Sequence, residues 1–78
     1  MSKDLVLYYL KSCPYSKKVL KYLDENNIEI LMKEIKENKK AKKELIEEGG
    51  KEQVPCLFIN SEALYESDDI IEWFEKNY

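Results

Sequence analysis

After a polar start, Met1-Ser2-Lys3-Asp4, the chain enters an unbroken apolar run, Leu5-Val6-Leu7-Tyr8-Tyr9-Leu10. Apolar side chains on successive positions mark a strand covered on both faces, so a central strand from about Asp4 to Leu10, flanked by helices, is predicted. The period then lengthens. Val19, Leu20 and Leu23 form an i, i+1, i+4 stripe between Pro14 and Asn26-Asn27, a helix whose first position holds a proline that needs no N–H there. Ile28, Ile30 and Met32 alternate with Glu29, Leu31 and Lys33, the pattern of an edge strand, and a right-handed crossover lays it parallel to the first. Asn38 is placed to cap a second helix that carries Ala41, Leu45 and Ile46 inward and stops at Gly49-Gly50. Pro55 opens the run Cys56-Leu57-Phe58-Ile59, Asn60-Ser61-Glu62 turns the chain, and Ala63-Leu64-Tyr65 returns as a short antiparallel strand. Ser67 is expected to cap a third helix, with Asp68 and Asp69 complementing its dipole, Ile70, Ile71 and Phe74 facing inward, and Trp73 packing beside them. The predicted order is βαβ-α-ββα, without repeat, linker or low-complexity segment.

Composition narrows the chemistry. With 78 residues the chain is expected to form one domain, 1–78, near the size at which apolar burial only just offsets chain entropy. Its longest apolar run is far short of a membrane span, and the start lacks the features of a secretory signal, so a cytoplasmic protein without a membrane segment is expected. In that reducing setting Cys13 and Cys56 are read as catalytic or buried thiols rather than a structural disulfide. There is no histidine to join them, which disfavours a metal site. The formal net charge of −3 argues against nucleic-acid binding.

Cys13 is the strongest candidate for chemistry. It falls where the first strand gives way to the first helix, so it faces peptide N–H groups that have no helical partner and the positive end of the helix dipole. Cysteines in such places have pKa values lowered from about 8.5 into roughly the 3.5–7.5 range, and the thiolate is the nucleophile.

Three separated motifs in this order, Cys13-Pro14-Tyr15-Ser16, Val54-Pro55 and Ser67-Asp68-Asp69, make the chain resemble glutaredoxin over nearly its whole length. The resemblance implies an α/β thioredoxin fold in its minimal glutaredoxin-like form, a four-stranded mixed sheet flanked by helices. It implies a glutathione-dependent thiol–disulfide oxidoreductase, with glutathione as co-substrate, glutathionylated proteins or small disulfides as partners, and a monomeric state. Cys13 becomes the nucleophile that attacks the glutathione-bearing sulfur of a mixed disulfide, supported by Pro14, Tyr15 and Ser16. Lys11 matches the family's basic residue ahead of the nucleophile, expected to pair with a glutathione carboxylate and to favour the thiolate, and Tyr15 matches the aromatic beside the sulfur. Val54-Pro55 resembles the segment whose X-Pro bond is cis and whose backbone binds the cysteinyl part of glutathione. Gln53 stands there in place of the usual threonine. Ser67, Asp68 and Asp69 are expected to hold the γ-glutamyl end at a helix N-terminus.

Two departures matter. Tyr65-Glu66 replaces the usual Gly-Gly, and Tyr65-Glu66-Ser67 looks instead like the Gln/Glu-Ser motif of glutathione transferase N-terminal domains. Ser16 replaces the second cysteine of dithiol relatives, which implies a monothiol route through a Cys13–glutathione intermediate. A glutathione-binding module without turnover is one alternative. An iron–sulfur cluster carrier is another, although Cys13-Pro14-Tyr15-Ser16 differs from the C-G-F-S of cluster-bearing glutaredoxins. Cys56 is read either as a thiol able to resolve a Cys13 adduct or as a small core residue. Lys39, Lys40, Lys42 and Lys43 are read as a solvated helix face or as a field that steers anionic glutathione.

Overall fold

The computed structural model describes residues 4–78; Met1, Ser2 and Lys3, where the expected absence of a signal was read, lie outside them. Seven elements follow in order: β1 (Leu5–Tyr9), α1 (Pro14–Glu25), β2 (Leu31–Glu34), α2 (Lys39–Gly49), β3 (Cys56–Ile59), β4 (Glu62–Tyr65) and α3 (Ser67–Asn77). They form a mixed four-stranded sheet in the order β2-β1-β3-β4, with β1 and β2 parallel and the other pairs antiparallel. This is the expected thioredoxin fold. Among the described residues no helix is long and apolar enough to cross a membrane.

The successive apolar residues of β1 and β3 are explained by two cores, one on each face of the sheet. Leu5, Leu7 and Leu57 point toward α1 and α3 and pack with Val19, Leu23, Ile70 and Phe74. Their neighbours Tyr8, Cys56 and Phe58 point the other way, toward Ala41 and Leu45 of α2 and toward Ile35. The register sets these layers directly, with Leu7 opposite Leu57 and Tyr8 opposite Cys56, and the Tyr8 and Phe58 rings tilt together at 5.3 Å.

Three expectations are corrected. The second strand begins at Leu31, not Ile28, because the end of α1 takes the intervening backbone. Asn26 N–H and Ile28 N–H donate to Tyr22 and Leu23 carbonyls, and Asn27 adopts φ 54°. Ile28 and Ile30 therefore pack on the core from a loop, while Leu31 and Met32 on the sheet edge are 59 % and 45 % exposed. Ile46 is 40 % exposed; α2 buries only Ala41 and Leu45. Ser67 is the first residue of α3 rather than its cap, a position taken by Glu66 at φ 71°, ψ 122° without a side-chain capping bond.

The second helix shows the ends that its sequence calls for. Asn38 Oδ1 accepts the Ala41 N–H at 3.1 Å, and Gly50 closes the helix at φ 85°. Gly49 is needed for a different reason. Its carbonyl accepts the Tyr65 hydroxyl at 2.8 Å, so a Cβ at Gly49 would run into that same hydroxyl. Gly49→Ala is expected to destabilise the fold by about 1–3 kcal/mol through overpacking, outweighing the better helix propensity of alanine. Urea denaturation of Gly49→Ala, Tyr65→Phe and the double variant checks this: the alanine penalty should shrink when the hydroxyl is gone.

Candidate functional site

β1 ends at Tyr9 and α1 begins at Pro14, so the short segment between them carries Cys13 to the helix N-terminus. Cys13 is the N-cap residue, with extended backbone at φ −81°, ψ 123° and Pro14 in the first helical turn. Its N–H donates to the Leu10 carbonyl at 3.0 Å, and its own carbonyl accepts Lys17 N–H at 2.9 Å, which starts the helix. The thiol is free and half-buried. Its partial burial pushes the pKa up, but the N–H groups of Ser16 and Tyr15 and the Ser16 hydroxyl outweigh this and hold it below the ordinary thiol value. These are the orphan donors of a helix start, turned toward sulfur.

Ser16 is fully buried, and its Oγ accepts the Leu10 N–H at 3.2 Å. One hydroxyl therefore ties the end of β1 to the first turn of α1 while it supports the sulfur. Lys11 lies in the same segment, two residues ahead of Cys13. Its ammonium is directed to Glu37 Oε1 at 3.0 Å in an exposed pair, and the groups that lower the Cys13 pKa are Tyr15 and Ser16.

A cleft of about 330 Å³ opens beside this helix start, lined by Tyr15, Gln53, Val54, Pro55, Glu66 and Ser67. Val54-Pro55 is cis. Five residues singled out in the sequence thus meet in one place although they come from α1, the α2–β3 segment and α3. Tyr15 is exposed and forms one wall, while Ser67 is buried at the start of α3. Glu66 is the lining residue that was not among the expected glutathione-binding residues. Its carboxylate accepts the Gln53 side-chain amide at 3.1 Å, so two of the positions that depart from the glutaredoxin pattern are bonded to each other. The signal that pointed to it was its place in Tyr65-Glu66-Ser67. Asp68 and Asp69 stand in the first turn of α3 outside the lining, and the Asp68 carboxylate is in direct contact with the Lys18 ammonium of α1.

Cys56 lies elsewhere in character. It is fully buried on the α2 side of the sheet, and that burial drives its thiol up to about 11, with Tyr65, Leu64 and Lys51 offsetting only part of the effect. A sulfur so protonated and enclosed behaves as a small core residue. Of the lysines in the α2 run, Lys42 and Lys43 form exposed pairs with Glu52 and Glu47.

Residues 7–78 match the family model described as glutathione S-transferase, N-terminal domain. Among solved structures, the glutathione transferase Omega 3C from Trametes versicolor is 31% identical with a TM-score of 0.80, and the match covers 99% of this chain and 33% of that one. A glutathione transferase homolog from Drosophila mojavensis, solved with bound glutathione, has a TM-score of 0.81 at 18% identity, covering 99% of this chain and 36% of that one. A buckwheat glutaredoxin–glutathione complex has a TM-score of 0.72 at 20% identity, covering 96% of this chain and 71% of that one. The chain thus spans about a third of the length of the transferases it matches and most of the glutaredoxin. Comparison with curated proteins finds no match. Because the family model takes in all but the first few residues, and the strand order and helix placement are those of a thioredoxin fold, the chain belongs to the glutathione S-transferase N-terminal domain family.

Proposed function

We propose that the protein is a glutathione-dependent thiol–disulfide oxidoreductase that reduces glutathione mixed disulfides by a monothiol route. The observation that carries this reading is the Cys13 sulfur, held toward the thiolate by Tyr15 N–H, Ser16 N–H and the Ser16 hydroxyl at the end of α1 that borders the cleft. A thiolate so placed attacks the glutathione sulfur of a mixed disulfide. The disulfide bond breaks, the target sulfur leaves with the electron pair and takes up a proton, and a Cys13–glutathione disulfide forms. A second glutathione thiolate then attacks the glutathione sulfur of that adduct, which releases oxidised glutathione and restores the Cys13 thiolate. Two glutathione molecules are joined as one target thiol is freed.

The cleft supplies the binding half of the proposal. The Val54 backbone is available to pair with the cysteinyl part of the tripeptide as an added strand would. The start of α3 at Ser67 offers N–H groups to the γ-glutamyl carboxylate, and Glu66, oriented by Gln53, offers an acceptor to the ammonium of the same residue. Asp68 is partly neutralised by Lys18, which leaves Glu66 the better-placed anion. Ser16 cannot close an internal disulfide with Cys13, so every turnover passes through glutathione.

A second reading, a glutathione-binding module without turnover, is favoured by the Glu66-Ser67 motif and by the third of a transferase that the chain spans. Turnover separates the two. Reduction of a glutathionylated peptide by glutathione, followed by coupled release of oxidised glutathione, is expected from the wild-type chain and from Cys56→Ser but not from Cys13→Ser. Turnover retained by Cys13→Ser would falsify the role given to that sulfur, and glutathione binding without turnover in the wild type would select the module. A purified protein that is coloured under anaerobic conditions with glutathione would instead indicate a cluster carrier.

The sign of the pH dependence follows from the lowered thiol pKa. Thiolate is present down to lower pH than in a free cysteine, so alkylation of Cys13 stays fast until pH falls through the lowered value. In Ser16→Ala the hydroxyl contribution is lost. The alkylation profile should shift to higher pH, and stability should drop by about 1–3 kcal/mol because the Leu10 N–H is left without its acceptor. An unchanged profile would remove the Ser16 hydroxyl from the electrostatics of the site.

A further inference from the structure

Glu34, the last residue of β2, is only 8 % exposed, and its carboxylate is used to bind backbone rather than a surface cation. Oε1 accepts the N–H groups of Lys36 at 2.6 Å and Glu37 at 2.8 Å, which form the turn into α2. Oε2 accepts the N–H of Lys11 at 2.9 Å, across a separate segment. Lys11 lies between β1 and α1, two residues ahead of Cys13, in a stretch that belongs to no helix or strand.

The amides of that stretch are held from both sides. Leu10 N–H goes to the Ser16 hydroxyl of α1, and Cys13 N–H returns to the Leu10 carbonyl. Lys11 N–H goes to Glu34, which is anchored in turn by the parallel pairing of Tyr9 with Glu34 in the sheet. The Lys11 ammonium adds a second tie to Glu37 in the same turn. Without the Glu34 carboxylate the Lys11 amide has no acceptor from the sheet, and the approach to Cys13 is held by α1 and by the exposed Lys11–Glu37 pair. The reactivity of Cys13 depends on where its sulfur stands relative to the Tyr15 and Ser16 N–H groups, so an anchor on this segment acts on the chemistry without touching the sulfur. Donation from the Lys11 and Glu37 N–H groups also holds the Glu34 pKa below the usual carboxylate range, which keeps the anchor anionic at neutral pH.

We propose that Glu34 is a positioning residue for Cys13: its carboxylate clamps the β1–α1 segment to the β2–α2 turn and so sets the sulfur over the α1 N-terminus. This rests on Cys13 being the reactive thiol, though not on which disulfide it reduces.

Glu34→Gln in the full chain tests it. Glutamine keeps the shape but replaces one accepting oxygen with an NH2 group, so either the Lys11 amide or the turn loses its acceptor. Iodoacetamide alkylation of Cys13 at neutral pH should slow by about threefold to tenfold, with its pH profile moved upward, and hydrogen exchange should report loss of protection at the Lys11 amide. Glu44→Gln, which breaks the Lys33 pair on the same strand, should leave the alkylation profile unchanged. If Glu34→Gln does not fold, Glu34→Asp replaces it, since the shorter side chain cannot span both segments. A variant that is less stable and loses Lys11 protection, yet alkylates as the wild type does, would overturn the proposal and leave Glu34 as a turn support. A shifted profile in a protein whose wild type turns over no mixed disulfide would uphold the positioning role while removing the proposed function.

Discussion

The site depends on the peptide N–H groups that α1 cannot use for itself. A helix start leaves its first donors without partners, and here the groups at Tyr15 and Ser16 meet a sulfur rather than a capping hydroxyl or carboxylate. Desolvation of the half-buried thiol acts in the opposite direction, and the donors win. Everything that places Cys13 at this point, from the length of β1 to the proline in the first turn of α1, therefore acts on its reactivity.

The fold supplies that placement with little material. A central β1, covered on both faces, cannot shift along its neighbours without turning its apolar layers the wrong way. It thus delivers the segment from Leu10 to Cys13 to a fixed end of the sheet. Ser16 reaches back from α1 to the end of β1, and Glu34 reaches across from β2, so the segment that leads to Cys13 is held by hydrogen bonds to named amides. The other half of the cleft comes from the segment leading into β3 and from the start of α3, which the sheet order brings alongside. Cys56, one residue beyond Pro55, is turned by strand alternation into the opposite core. Two cysteines in one small chain consequently have opposite fates: one has its pKa lowered by helix-start donors, the other is held neutral by burial.

Much of this was legible from residue order because the decisive signals are local. Successive apolar positions in β1 and β3, the proline at the start of α1, Asn38 and Gly50 at the ends of α2, and the Cys13 helix start all follow from nearest-neighbour chemistry. The errors arose where backbone geometry, rather than the pattern of residue types, decides. The alternation of Ile28, Ile30 and Met32 imitates a strand, yet the carbonyls at the end of α1 claim the backbone first, and the true strand holds two exposed apolar residues on the sheet edge. Ser67 has the composition of a cap, but the backbone at Glu66 turns through positive φ and makes Ser67 the first helical residue. Glu34 has no sequence signal at all. Its importance comes from amides of two segments that only the folded sheet brings within reach.

The central claim is that one sulfur, activated by a helix start, carries glutathione by itself. Intact-protein mass spectrometry after incubation with oxidised glutathione, followed by peptide mapping, tests it most directly. The account predicts a single glutathione adduct, located on Cys13 and removed by added glutathione. A protein that stays unmodified, or one that loses both thiols to a Cys13–Cys56 bond, would contradict it.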